Sequence, residues 1–134
     1  MSRSVSSARQ PAVRAGTVAL LSSRIAYGLA LLAAPEQVAA KRWLGEDAGR
    51  SAAPVPLRGV GAREVALHGL ALVAYLRGSA VRPILAASMV GDLADIGATA
   101  IAREGLPQGS APATTAVAGG SLLLTAVVTA LVDE

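Results

Sequence analysis

Six ionisable side chains stand inside stretches that are otherwise almost free of charge: Arg24, Arg63, Glu64, His68, Asp92 and Asp95. Carboxylates set among guanidinium groups and one imidazole can do two kinds of work. They can lock helices together as buried ion pairs, or they can hold and deliver a proton, which is what general acid–base chemistry needs. The charge count sharpens the choice. Arg24 and Arg63 oppose Glu64, Asp92 and Asp95, leaving one negative charge if His68 is neutral, and buried charge must be compensated or neutralised. Either His68 is protonated, or one carboxyl keeps its proton, or a cation or ligand completes the set. Glu64, Asp92, Asp95 and His68 are therefore the candidate acid–base residues. Arg24 and Arg63, with Tyr27 and Tyr75, are the candidate ligand-binding residues.

Other chemistries have little support. The chain contains no cysteine, which excludes thiolate metal sites, Fe–S clusters, disulfides and cysteine nucleophiles, and its single histidine excludes a multi-histidine metal site. Asp92 and Asp95, three apart, are a weak signal for a hard cation, and His68 alone is a weak haem ligand. No metal or cofactor is expected. There is no G-x-S-x-G, P-loop or dinucleotide fingerprint.

The elements that must position these groups are long and apolar. The 134 residues are 53% hydrophobic and 16% charged, where a soluble domain carries about 25% charged residues. Four apolar stretches, at 12–34, 58–77, 83–103 and 113–132, each approach the ~20 residues a helix needs to cross ~30 Å of hydrocarbon. Globular helices average only about 11–12 residues. The expected fold is all-α: a single four-transmembrane-helix domain over 12–134, preceded by a polar Ser/Arg-rich tail at 1–11. An Ala-rich soluble bundle competes with it, because the glut of Ala, Gly, Val and Arg is also what a GC-rich genome yields. A cleaved signal peptide is disfavoured by Arg24 and by the length of the first stretch.

At 100° per residue the polar groups of each stretch share one face. Thr17, Arg24, Tyr27 and Gly28 align on the first. Glu64, His68, Ala71 and Tyr75 align on the second with Arg63 adjacent, and Ser88, Asp92, Asp95 and Thr99 on the third. Thr114, Ala118, Ser121, Thr125 and Thr129 form a hydroxyl and small-residue stripe on the fourth. The implied bundle is inside-out, with a polar charged core and a Leu/Val/Ala exterior. Gly59, Gly61, Gly69, Gly91 and Gly97 offer places for close helix approach.

The connections agree with an up-and-down order. The run from Arg77 to Pro83 is a short turn with Gly78 near one helix end and Pro83 at the next start, and Glu104–Pro112 is rich in breakers. The longest connection carries a run, Pro35 to Gly45, that suits a short interfacial helix, with Trp43 beside Lys41 and Arg42 at the membrane–water boundary; a loop helix packing its Trp on the bundle fits equally. Arg3, Arg9, Arg14, Arg77 and Arg82 on the terminal side are matched by Lys41, Arg42, Arg50, Arg58 and Arg103 on the other. The positive-inside rule is thus tied, and the arginines before the first stretch favour both termini in the cytoplasm of a bacterial inner membrane. Scattered arginines and only three aromatic residues (Tyr27, Trp43 and Tyr75) exclude a nucleic-acid surface of the usual kind. The partners expected are the lipid bilayer, a lipophilic small molecule, and a second copy in a homo-oligomer.

One resemblance adds to this. Arg24, Tyr27-Gly28, Pro35, Trp43-Leu44-Gly45, the run Arg58-Gly59-Val60-Gly61-Ala62-Arg63-Glu64 and the run Gly91-Asp92-Leu93-Ala94-Asp95 resemble small four-helix bacterial membrane proteins of unknown function, common in actinobacteria. The resemblance covers roughly residues 14–110, and G-A-R-E and G-D-x-x-D are its most specific pieces. It departs at His68, where such sequences often continue with Gly or Leu. It implies the fold and the membrane, marks Arg63, Glu64, Asp92 and Asp95, and brings no activity. Three functions fit the residues: an intramembrane site for a small or lipophilic ligand with non-redox isomerase, cyclase or hydrolase chemistry; a non-catalytic structural or accessory subunit; and a small proton-coupled transporter.

Overall fold

The computed structural model describes residues 3–40 and 43–132. It is all-α, with four long helices: α1 (Arg3–Ala33), α2 (Pro54–Leu76), α3 (Arg82–Ala102) and α4 (Ser110–Leu131). α1 begins well before the apolar stretch. The segment read as a polar tail is helical from Arg3, and the helix carries on across Pro11, whose neighbours Ala8, Arg9, Ala12 and Arg14 are good helix formers. The shorter helices have 21 to 23 residues, about 32–35 Å of axial rise.

α1 packs chiefly on α2 and α3 on α4, with α2 against α3 and a thinner seam between α4 and α1. The register is antiparallel throughout. Gly28 meets Gly61 while Arg24 meets His68, and Arg63 meets Asp95 while His68 meets Ser88. α2 ends in a Schellman motif: Gly78, at φ +66°, lets its own N–H reach Tyr75 O at 3.1 Å and the Ser79 N–H reach Ala74 O at 2.9 Å. Two helix C-termini are capped by arginines from neighbouring helices, Arg58 Nε on Leu32 O at 3.2 Å and Arg82 Nη2 on Val132 O at 2.9 Å.

The connection from α1 to α2 is helical in its described part, where a short helix is expected, but its winding is irregular. Pro35 cannot donate, α1 stops at Ala33, and the chain rewinds as a π-helical turn at Glu36–Ala40 and a 3-10 turn at Gly45–Gly49. Trp43, Leu44 and Val38 pack on the buried Leu31, Ala39 and Leu57, so Trp43 closes this end of the bundle. Lys41 and Arg42 lie outside the described residues.

The interior has three storeys. Leu31, Ala39 and Leu57 fill the loop end, and Leu21, Ala71, Val81, Leu85 and Val132 fill the end nearer the termini. Between them sit buried polar groups, Glu64, His68, Ser88 and Asp92, while Leu70, Val90, Ile101, Val117 and Leu123 are exposed. The exposed surface is 8277 Å², where a soluble monomer of 13.3 kDa exposes about 6,500 Å². That distribution suits an apolar medium. Among the described residues, three helical segments are long and apolar enough to cross a membrane: Gln10–Ala33, Arg82–Gly105 and Ser110–Leu131. The second helix does not join them despite its length, because it carries Arg63, Glu64 and His68.

Candidate functional site

The six ionisable residues singled out by the sequence converge at mid-height of the bundle. Their positions follow from the close crossing of α1 and α2. A Cβ on Gly28 would lie 2.7 Å from Gly61 O, and one on Gly61 would lie 2.7 Å from Gly28 O, so each glycine admits the other's backbone. One turn away from this crossing, Arg24 on α1 is carried onto the face of α2 that holds Glu64 and His68.

Arg24 is the hub. Its Nε lies 2.7 Å from Glu64 Oε2 and its Nη2 lies 2.8 Å from Asp92 Oδ1. Nη2 also donates to Glu64 Oε1 at 3.2 Å, Nε donates to His68 Nε2 at 3.3 Å, and Nη1 donates to Ser121. One side chain of α1 thereby touches α2, α3 and α4. Ser121 passes the network on, donating to Asp92 Oδ2 at 3.0 Å.

Arg63 forms the second half. Its Nη2 meets Asp95 Oδ2 at 2.6 Å and Glu64 Oε1 at 3.4 Å, and its Nη1 reaches Asp95 Oδ1 at 3.3 Å. The Arg63–Asp95 pair is a bidentate fork between α2 and α3 at the bundle's flank. Gly91 makes room for it: a Cβ there would stand 3.2 Å from the guanidinium carbon of Arg63. The glycines thus acquire separate duties. Gly61 serves the helix crossing and Gly91 serves Arg63, whereas Gly59, Gly69 and Gly97 have open space around them and mark no close approach.

His68 is held from three sides. Nδ1 is 2.9 Å from the Glu64 backbone oxygen one turn earlier, and Nε2 is 2.9 Å from Ser88 Oγ. Ser88 and Ser121 complete the network as hydrogen-bonding members; the sequence placed them on the polar faces of their helices but not among the site residues. The tyrosines separate. Tyr27 is half-buried next to the Gly28 crossing, packed with the loop-end apolar group, whereas Tyr75 stands two turns from His68 in the terminal apolar storey. Among the described residues, no three His, Asp or Glu side chains are arranged to hold a metal ion.

A groove of about 640 Å³ opens between α1 and α4 in the half nearer the termini. It is lined by Gly16, Thr17, Leu20, Ser23, Leu124 and Val128 among others, and it is almost wholly apolar. Comparison with known protein families, curated proteins and solved structures finds no match for this chain.

Proposed function

We propose that this chain is a small multi-pass protein of a bacterial inner membrane, with all four helices crossing the bilayer, and that its charged core fastens two helix pairs as a structural or accessory subunit. One observation carries the reading: every guanidinium of the core is taken up by carboxylates from other helices at the height where the bilayer would be driest. Charges placed there face one another because lipid would not tolerate them. The likeness of the G-A-R-E and G-D-x-x-D pieces to small bacterial four-helix membrane proteins belongs to the same proposal.

Spanning by α2 is the part that composition alone leaves open, and labelling tests it. The chain has no cysteine, so Ser51→Cys in the α1–α2 connection and Ser79→Cys in the α2–α3 turn give single thiols at exposed positions. An impermeant maleimide should label the two from opposite faces of sealed membrane vesicles, with position 79 on the cytoplasmic side. Labelling of both from one face would sink the four-span reading. Labelling of each from both faces would instead mark dual insertion, as a proton-coupled antiparallel dimer requires.

The fastening role predicts a compensated pair. Arg63→Met alone or Asp95→Leu alone should cost about 1–3 kcal/mol, between the ranges for exposed and fully buried pairs, because both side chains are 30% exposed. The double variant should return to within about 1 kcal/mol of the parent in a thermal melt, since an apolar pair replaces an ionic one. A double variant that loses as much as both singles together would overturn it.

A second reading, a lipophilic ligand acted on by Glu64 or Asp92, is favoured by the groove between α1 and α4. Its inner end is at Ser23, one residue before the hub arginine. A fluorescent fatty acyl probe displaced by Gly16→Leu, a position on the groove wall where an added Cβ has open space, would support that reading.

A further inference from the structure

The hydrogen-bond roles in the core settle more than the pairing of charges. The Glu64 backbone oxygen can only accept, so the His68 Nδ1 at 2.9 Å carries a hydrogen. Nε2 receives the Arg24 Nε–H at 3.3 Å, so it presents a lone pair, and it lies 2.9 Å from Ser88 Oγ. His68 is neutral in this arrangement. Two guanidinium groups therefore face three carboxylates, and among the described residues no other charge balances them. α1 offers Arg24 and the hydroxyl of Tyr27, α2 offers Arg63 and His68, α3 offers Asp92 and Asp95, and α4 has no ionisable residue and contributes only Ser121.

The deficit has an address. Both oxygens of Asp92 accept hydrogen bonds, from Arg24 and from Ser121, and both oxygens of Asp95 accept from Arg63. Glu64, 3% exposed, shares Oε1 between two long contacts, and its Oε2 accepts no hydrogen bond among the described residues. Arg24 Nε is only 2.7 Å from Oε2, yet its single N–H is spent on His68. Oε2 also lies 3.5 Å from His68 Nδ1.

We propose that the core is a one-proton binding site whose seat is the Glu64 carboxyl together with the adjoining His68 imidazole. This rests on the membrane reading above, which makes an uncompensated charge at mid-height costly. With the proton on the Glu64 carboxyl that group is neutral, and Arg24 Nε–H serves His68 Nε2, the contact present in the structure. With the proton on Nε2 the imidazole is cationic and donates to Ser88, Glu64 is a carboxylate, and Arg24 Nε–H turns to Oε2. One proton changes place and nothing else is gained or lost. The single Nε–H of Arg24 moves the opposite way, so the contact between α1 and α2 follows the proton. Macroscopically the pair titrates as one unit.

The test uses the full chain in lipid nanodiscs and reads carboxyl carbonyl and imidazolium bands by infrared difference spectroscopy across a pH series. One protonated group is expected near neutral pH, as a carboxyl band or as an imidazolium. A carboxyl band should fall to background in Glu64→Gln, which has the shape and charge of the protonated side chain and should melt within a few degrees of the parent. In Asp95→Asn the set is balanced without a proton, so the band should also vanish there, in a variant whose altered residue lies at the flank. An imidazolium signal in the parent near neutral pH, lost in Asp95→Asn, places the same proton on the other half of the seat and supports the site. Absence of both signals would overturn the proposal, and so would a carboxyl band that survives Glu64→Gln. The thiol labelling above fails or succeeds independently, so a lost membrane reading and a lost proton site are told apart.

Discussion

Arg24→Met is expected to lower stability by about 3–5 kcal/mol, the range for removing one partner from a buried charge pair. The size follows from what the guanidinium leaves behind. Glu64 and Asp92, at 3–4% side-chain exposure, lose the cation that lies 2.7 and 2.8 Å from them, and Ser121 and His68 lose a donor. No other side chain in the network contacts the remaining three helices at once, so the loss falls on the join between the α1/α2 and α3/α4 pairs. Arg24→Lys should recover only part of it, because an ammonium cannot spread its donors over four acceptors. Acid should also return part of it, since protonated carboxyls no longer need the guanidinium. Thermal melts of the detergent-solubilised chain at neutral and acid pH measure both effects. A parent-like melting temperature for Arg24→Met would remove Arg24 from its place as hub.

What the sequence shows of this arrangement is what is local. Length and hydropathy mark four helices, because each signal is carried by consecutive residues. The 100° period places Glu64, His68 and Ala71 on one face, Ser88 and Asp92 on another, and Thr114, Ala118 and Thr125 on a third, and all of these are buried. The period says nothing about how far one helix slides along the next. Which arginine serves which carboxylate depends on that slide, so Arg63–Glu64, adjacent in the chain, looks like a natural pair although Arg63 is spent mainly on Asp95. Tyr75 shares a face with Glu64 and still falls in another storey, because a face runs the whole length of a helix. The connection after Pro35 has a helix-like order of charges and does wind helically at Glu36–Ala40, but nothing in that order shows that the turn is π-helical. The glycines look alike in sequence, and only packing separates Gly61 and Gly91 from Gly59, Gly69 and Gly97.

Gly28→Leu, or Gly61→Leu across from it, should cost about 3 kcal/mol or more, beyond ordinary overpacking of about 1–3 kcal/mol. At Gly28 the added Cβ alone would stand 2.7 Å from Gly61 O, 2.8 Å from Glu64 Cβ and 2.9 Å from Val65 Cγ2. At Gly61 it would stand 2.7 Å from Gly28 O and 3.1 Å from Leu32 N. The backbone atoms among these, and the Cβ atoms fixed to the backbone, cannot rotate aside, so the helices must part. Parting them lengthens the Arg24 contacts with Glu64 and His68, and the packing penalty then adds to an electrostatic one. Even alanine should be destabilising at these two positions. Gly69→Ala and Gly97→Ala supply the contrast: nothing lies within 4 Å of a Cβ at either, and each should be neutral or stabilising by up to about 1 kcal/mol through helix propensity. Melting the four alanine variants side by side separates propensity from contact. If Gly28→Ala behaves like Gly69→Ala, the close crossing does not hold the bundle, and the meeting of Arg24 with Glu64 must be set by the ion pairs themselves. If it fails while Gly69→Ala does not, two hydrogen-sized side chains fix the slide on which the buried network depends.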